Sequence, residues 1–185
     1  MKLHHILLGG ILTLSLLSGG AVAADDKAAK QAEIRQVTQA SLAKFYAAQP
    51  DLKAKVAKAP GYAVFTTYGL SFLVGGAGGK GLAHNNRSGK DTFMAMAQAS
   101  AGAEVGIAES ETLIIFASAK SLDWFISKGW EGGGGGGMQA GASGESAGVA
   151  GGGGPGSAYY TLTKNGLQAG VAVRGTKFWQ DKELN

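Results

Sequence analysis

The chain has 185 residues, with 17 Lys and Arg, 13 Asp and Glu, 32 glycines and no cysteine. This length fits one domain with a hydrophobic core. The absence of cysteine excludes disulfides, a thiol nucleophile and a lipidated cysteine, so stability is expected to come from packing.

Residues 1–24 are predicted to be a signal peptide. Met1 and Lys2 form a positive start, Ile6 to Leu17 is mostly apolar, and Ala21 to Ala23 has the small residues that a signal peptidase requires. The apolar run is too short to span a bilayer as a helix. We therefore expect export to the periplasm as a free mature chain, with an uncleaved anchor as the alternative.

Residues 25–60 are predicted to form a basic helical segment. Asp25 to Ala48 is rich in helix-forming residues, and Pro50 ends this helix and begins a second, short one through Lys58. Asp25 and Asp26 are expected at the positive end of the helix dipole. The apolar stripe of the first helix comprises Ile34, Val37, Ser41, Leu42 and Phe45.

The net charge of the mature chain lies in this segment. Residues 25–60 have seven basic and four acidic side chains, a net charge of +3, whereas residues 61–185 have nine of each. Such asymmetry indicates contact with an anionic partner. A lysine-rich helix face that is merely solvated is the alternative.

Residues 61–185 are predicted to form a glycine-rich β domain. Ser118 is expected to cap a helix with Leu122, Phe125 and Ile126 on its apolar side, and Gly129 to end it. Before this helix, the predicted strands are 61–68, 70–74, 92–107 and 111–117, the last of them buried on both faces.

The C-terminal region is predicted to end in a hairpin. Ser157–Thr163 and Leu167–Val173 flank Asn165-Gly166, a pair typical of a type I′ turn. The glycine tracts 132–137 and 151–154 are typical of linkers, and strands are expected between them from 138 to 150. The predicted fold is α+β: N-terminal helices packed on a glycine-rich, mainly antiparallel sheet or barrel-like core, with one middle helix.

The residue pattern does not predict a catalytic centre. His84 lies in a polar stretch expected to be a surface turn, and a metal site or a triad needs more partners than this one histidine of the mature chain offers. A hydrolase built on Glu104, Glu109 or Glu111 is a further hypothesis. A solvated turn at Glu109 and Glu111 is the favoured interpretation. We therefore expect no enzyme, no metal and no cofactor.

Nucleotide and nucleic-acid binding are also disfavoured. Gly76 to Gly81 has the G-x-G-x-x-G spacing, but the residues that follow it do not predict the helix that the dinucleotide motif requires. With 32 glycines in the chain, this spacing arises by chance. A nucleic-acid role needs a strongly basic folded surface, which residues 61–185 lack.

Several segments together resemble the SYLF, or YSC84-like, family. The glycine-rich stretch Phe72 to Ala83 is similar to the family signature, and Ala59 to Phe65 precedes it at a similar spacing. Ala101 to Gly106, leading into Thr112 to Phe116, and the closing stretch Tyr160 to Val171 follow in the family's order. The resemblance runs from about residue 29 to 178.

This resemblance implies a lipid-binding module. Eukaryotic relatives bind phosphoinositides and some contact actin, whereas bacterial relatives are exported and associated with phospholipid or the envelope. For an exported chain it implies an anionic phospholipid surface such as phosphatidylglycerol or cardiolipin, with an envelope structural or protein-interaction role as the alternative. The residues it implies for head-group contact are Lys27, Lys30, Lys53, Lys55, Lys58 and Lys80.

Overall fold

The computed structural model describes residues 19–67, 78–98, 110–131, 157–163, 166–169 and 176–185. The helices are α1 (Gly19–Ala48), α2 (Asp51–Lys58) and α3 (Ala119–Lys128). The strands are β1 (Gly61–Thr66), β2 (Gly78–Asn85), β3 (Lys90–Gln98), β4 (Glu111–Phe116), β5 (Trp130–Glu131), β6 (Ser157–Thr163), β7 (Gly166–Ala169) and β8 (Thr176–Gln180). The described residues do not include the strand predicted at 70–74, the end of the one predicted at 92–107, the glycine tracts or the strands expected between them at 138–150.

The eight described strands form one curled, half-barrel sheet in the order β5-β8-β3-β2-β1-β4-β6-β7. Every described pairing is antiparallel. The N-terminal helices, the antiparallel sheet and the middle helix confirm the predicted α+β class.

The centre of the sheet is buried on both faces. Successive side chains of a strand point to opposite faces, and Phe65 of β1 joins the cluster that contains Leu122 and Phe125 of α3. Its neighbour Val64 joins the cluster that contains Phe45 of α1 and residues of α2. Helices α1 and α2 therefore cover one face of the sheet, and α3 covers the other.

Helix α1 differs from its prediction at the N-terminal end. It begins at Gly19, six residues before Asp25, so Asp25 and Asp26 lie within the helix and not in its first turn. The expected placement of these acids at the positive end of the dipole is wrong. The predicted apolar stripe is confirmed, since Ile34, Leu42 and Phe45 are buried. None of the described helices is both long and apolar enough to cross a bilayer.

The connection from β4 to α3 follows the sequence closely. All residues of β4 are buried, as the continuous apolar run predicted. The Ser118 Oγ atom accepts the backbone N–H of Ser121 at 3.1 Å and caps α3. Gly129 ends the helix with φ +71°, a conformation that side chains disfavour.

Strand β2 occupies part of the glycine-rich signature, which had not been predicted as a strand. It pairs with β1 so that Gly81 lies opposite Phe65. A Cβ atom at Gly81 would overlap the Val64 carbonyl oxygen and come within 2.8 Å of the Phe65 ring. Glycine is thus required here because the two strands approach closely. Since glycine has a low propensity for strands, the sequence pattern did not predict a strand at this position.

The pairing of the closing hairpin is confirmed for β6 with β7, and the predicted continuation over 170–173 lies outside the described residues. Strands β6 and β7 pair with Thr163 opposite Gly166. Residues 164 and 165, between these two strands in the sequence, lie outside the described residues. Gly166, with φ +102°, is the first residue of β7 and not a central residue of the turn.

The close approach at Gly81 provides a stability test. We expect Gly81→Ala to lower the free energy of unfolding by about 2 kcal/mol or more, because β1 and β2 must separate to admit the methyl group. The matched control is Gly78→Ala, where the nearest atom to a Cβ would be the Met96 carbonyl oxygen at 3.7 Å. Urea unfolding followed by circular dichroism measures both, and equal stabilities of the two variants would contradict the packing argument.

Candidate functional site

Helix α2 is amphipathic and uses its apolar side for the core. Leu52 and Val56 are buried with Phe45, Leu113 and Tyr160 on the α1 face of the sheet. Asn86, in the turn after β2, donates from Nδ2 to the carbonyl oxygens of Val56 and Ala59, both at 2.8 Å. This amide fixes the C-terminal end of α2 against the sheet, a role that the sequence did not reveal.

The outward side of α2 carries three of the predicted lysines. Lys53, Lys55 and Lys58 are all exposed. Lys55 pairs with Asp51 one turn earlier at 3.0 Å, and this hydrogen bond raises the pKa of Lys55 and lowers that of Asp51. Lys53 and Lys58 form no ion pair within the described part of the chain. They are therefore the lysines of this helix available to an external anion.

The two predicted lysines of α1 lie near the C-terminal residues. Lys27 Nζ donates to the Asn185 carbonyl oxygen at 2.9 Å, and Lys30 pairs with Asp26 at 2.8 Å. The neighbouring Gln31 side chain donates to the Leu184 carbonyl oxygen at 2.7 Å. The C-terminal residues thus attach this half of α1 to the sheet.

The sixth predicted lysine, Lys80, lies on β2, on the sheet face that α1 covers. Its side chain is 28% exposed and forms an ion pair with Asp181. Asp181 is itself buried and accepts the backbone N–H of Glu183 at 3.0 Å. The structure therefore separates Lys80 from the α2 lysines and gives it an internal partner.

Glu111 is buried, which corrects the sequence interpretation. The solvated turn favoured for Glu111 is wrong, because Glu111 is the first residue of β4 and is 1% exposed. Its Oε1 accepts Lys44 Nζ of α1 at 2.5 Å, because a buried carboxylate requires a charged or hydrogen-bonding partner. Glu104 and Glu109, the other acids of the hydrolase hypothesis, lie outside the described residues.

His84 is likewise part of the sheet and not of a surface turn. It lies on β2, and its Nδ1 is 2.7 Å from Asp91 Oδ1. The other carboxylate oxygen of Asp91 accepts Arg35 Nε of α1 at 2.8 Å. Arg35 also lies over the Phe93 ring, 4.9 Å from its centroid. This cluster ties the middle of α1 to β2 and β3.

The electrostatics of this cluster have opposing causes. Partial burial would raise the pKa of Asp91, but hydrogen bonds from His84 and Arg35, together with their charges, lower it below the ordinary carboxyl value. Burial, with nearby Tyr46 and Asp91, raises the pKa of Tyr62 to about 12. The lowered pKa of Asp91 means that its ionised form is the one stabilised by Arg35 and His84 in the folded chain.

These contacts neutralise part of the positive charge of residues 25–60. Asp91 and Glu111 of the sheet compensate Arg35 and Lys44 of α1. Within residues 25–60, the lysines that no described acid pairs with on the outward face of α2 are Lys53 and Lys58. Among the described residues, no group of three or more His, Cys, Asp or Glu side chains is arranged to hold a metal ion.

Fold and surface define an α+β domain whose basic N-terminal helices are held against one face of an antiparallel sheet. Residues 97–185 match the family model Ysc84, described as "Las17-binding protein actin regulator". Beta cell expansion factor A of Aeromonas veronii is 34% identical over 160 residues, which cover 85% of this chain and 60% of that protein. Residues 97–185 are thus a match to the Ysc84, or SYLF, family domain, and the chain spans about 60% of the length of this relative.

The Asp91 cluster makes the attachment of α1 sensitive to acid. We expect Asp91→Asn to lower the free energy of unfolding by about 1–2 kcal/mol at pH 7. Because the folded-state pKa lies below the ordinary value, the Asp91 contribution is complete above about pH 4 and is lost as the pH falls through the folded pKa. The difference between wild type and variant should therefore shrink below about pH 4.

Urea unfolding at a series of pH values measures this difference. Asp123→Asn, at an exposed position of α3, is the control and should change stability little at any pH. A difference between wild type and Asp91→Asn that is constant from neutral to acidic pH would contradict the assignment.

Proposed function

We propose that this protein is an exported, non-catalytic module that binds anionic phospholipid at a membrane surface, with its site of action in the periplasm. The observation that carries the proposal is the outward face of α2, where exposed lysines stand above an apolar side that is fixed on the sheet. The predicted signal peptide and the match to a family with lipid-binding members support it.

Binding through this face is electrostatic and peripheral. An amphipathic helix that inserts into lipid needs its apolar side free, but the apolar sides of α1 and α2 are buried against the sheet in the described residues. The remaining attraction comes from lysines near an anionic surface, each contributing about 1 kcal/mol. Such binding weakens as added salt screens the charges.

The six predicted lysines are expected to contribute unequally. Lys53 and Lys58 on α2 should contribute most, since no described acid neutralises them. Lys27 and Lys30 each have a contact within the chain, and Lys55 interacts with both Asp51 and Tyr160, so these three should contribute less. Lys80, half-buried and paired with Asp181, should contribute least.

A structural or protein-interaction role in the envelope, with no lipid binding, is the second candidate. It is favoured by the description of the matched family, which names a protein partner and a regulatory role. It predicts no vesicle binding and a specific partner in cross-linked periplasm. Nucleic acid and nucleotides are not proposed as partners.

Vesicle flotation tests the lipid proposal. The mature protein should float with vesicles containing phosphatidylglycerol or cardiolipin, not with phosphatidylcholine alone, and flotation should fall as salt is raised. Lys53→Glu combined with Lys58→Glu should weaken binding by about 30-fold or more, since about 1 kcal/mol is lost for each lysine and the new acids are repelled.

The matched control is Arg87→Glu combined with Lys90→Glu. Arg87 lies in the turn between β2 and β3, Lys90 is the first residue of β3, both are exposed, and their replacement gives the same change in net charge. The control should bind nearly as wild type if the α2 face is the contact. Equal losses in both double variants would indicate a response to net charge alone, and unchanged binding of the α2 variant would refute the assigned surface.

A further inference from the structure

Helix α3 has an outward face that its core packing does not explain. Leu122 and Phe125 are buried with Phe65 and Phe178 in the cluster on the α3 face of the sheet. On the opposite side of the helix, Trp124 leaves 46% of its surface exposed. Burying a large indole normally stabilises a fold, so its outward placement requires another explanation.

The residues around Trp124 form a basic and aromatic stripe. Lys120 and Lys128 lie four residues before and after Trp124, one turn away on either side, and both are exposed. Asp123 is the one acid of this helix, so α3 carries a net charge of +1. Trp130 provides the contrast within the same chain, because it is buried and stacks on Phe178 with ring centroids 5.4 Å apart.

This combination matches the chemistry of an anionic lipid head-group layer. The indole of tryptophan has an apolar body and a polar N–H and favours the interface between water and hydrocarbon. Lysines one turn away on either side can reach lipid phosphates while their aliphatic stems cover apolar surface. We propose that the outward face of α3, centred on Trp124, is a second contact surface for anionic phospholipid.

The second surface is separate from the one on α2. Adjacent residues of β1 point to opposite faces of the sheet, and Val64 contacts the α1 and α2 cluster whereas Phe65 contacts the α3 cluster. The two surfaces therefore lie on opposite sides of the sheet. This inference rests on the proposed lipid-binding function. It adds a contact at α3 to the one at α2, and experiment can refute either contact surface without refuting the other.

Tryptophan fluorescence with brominated lipid tests the α3 surface. The assay uses the Trp179→Phe variant as the parent protein. This substitution removes the other exposed indole and leaves Trp124, with the buried Trp130 as an internal reference. Vesicles containing phosphatidylglycerol and brominated phosphatidylcholine should shift the emission to shorter wavelength and quench it, and vesicles of brominated phosphatidylcholine alone should not. Adding Trp124→Phe should remove this response.

Charge variants then separate the two surfaces. Lys120→Glu combined with Lys128→Glu should raise the lipid concentration needed for quenching by about 30-fold. The α2 variant Lys53→Glu with Lys58→Glu floats less, but its Trp124 should still be quenched once enough anionic lipid is present. Urea unfolding confirms that each variant is folded. In the control Arg87→Glu with Lys90→Glu, the Trp124 fluorescence should be quenched at the same lipid concentration as in the parent protein.

The outcomes distinguish the proposals. Flotation of the protein on phosphatidylglycerol vesicles without quenching of Trp124 overturns the α3 surface and leaves the α2 proposal standing. Quenching that is lost in the α2 variant and retained in the α3 variant also overturns it. No flotation under any condition overturns both, and the exposed Trp124 would then be assigned to a protein partner.

Discussion

The structure depends on the burial of its central strands from both sides. Val64 and Phe65 are neighbours on β1, and each is almost completely inaccessible to solvent in a different hydrophobic cluster. A sheet with two apolar faces requires a helix layer on each, which α1 with α2 and then α3 provide. Because the apolar sides of these helices are buried against the sheet, only their outward side chains can contact a partner. These are lysines on α2, and lysines with a tryptophan on α3.

The contact between α1 and the sheet is partly ionic. Arg35 with Asp91, and Lys44 with Glu111, connect the helix to strands on either side of β1 and β2. Buried or half-buried pairs of this kind add little net stability over apolar packing, but loss of one partner leaves a charge without compensation. The pairs thus set the position of α1 and neutralise part of its charge, whereas no described acid pairs with Lys53 and Lys58 on the outward face of α2.

Local sequence patterns predicted the helices and strands that are stabilised mainly by interactions between residues close in the sequence. The 3.6-residue periodicity around Phe45, the cap at Ser118 and the apolar run of β4 appear in the structure where they were expected. Strand β2 was missed because Gly81 has low strand propensity, and its reason for being glycine is the Val64 carbonyl of another strand. Glu111 was misplaced for a related cause: its partner Lys44 lies 67 residues earlier in the chain.

Periodicity, capping residues, motif order and composition were sufficient to predict the α+β class, the helix boundaries near Ala48 and Gly129, the family resemblance and the concentration of positive charge in residues 25–60. Which of these charges are available to a partner depends on tertiary contacts. Lys53 and Lys80 were equivalent candidates in the sequence, but one is exposed on α2 and the other pairs with Asp181 across the sheet. Likewise, Trp124 is exposed because the other side of α3 packs on the core, and Trp130 is buried because β5 pairs with β8 at Phe178. Both depend on contacts between residues far apart in the chain.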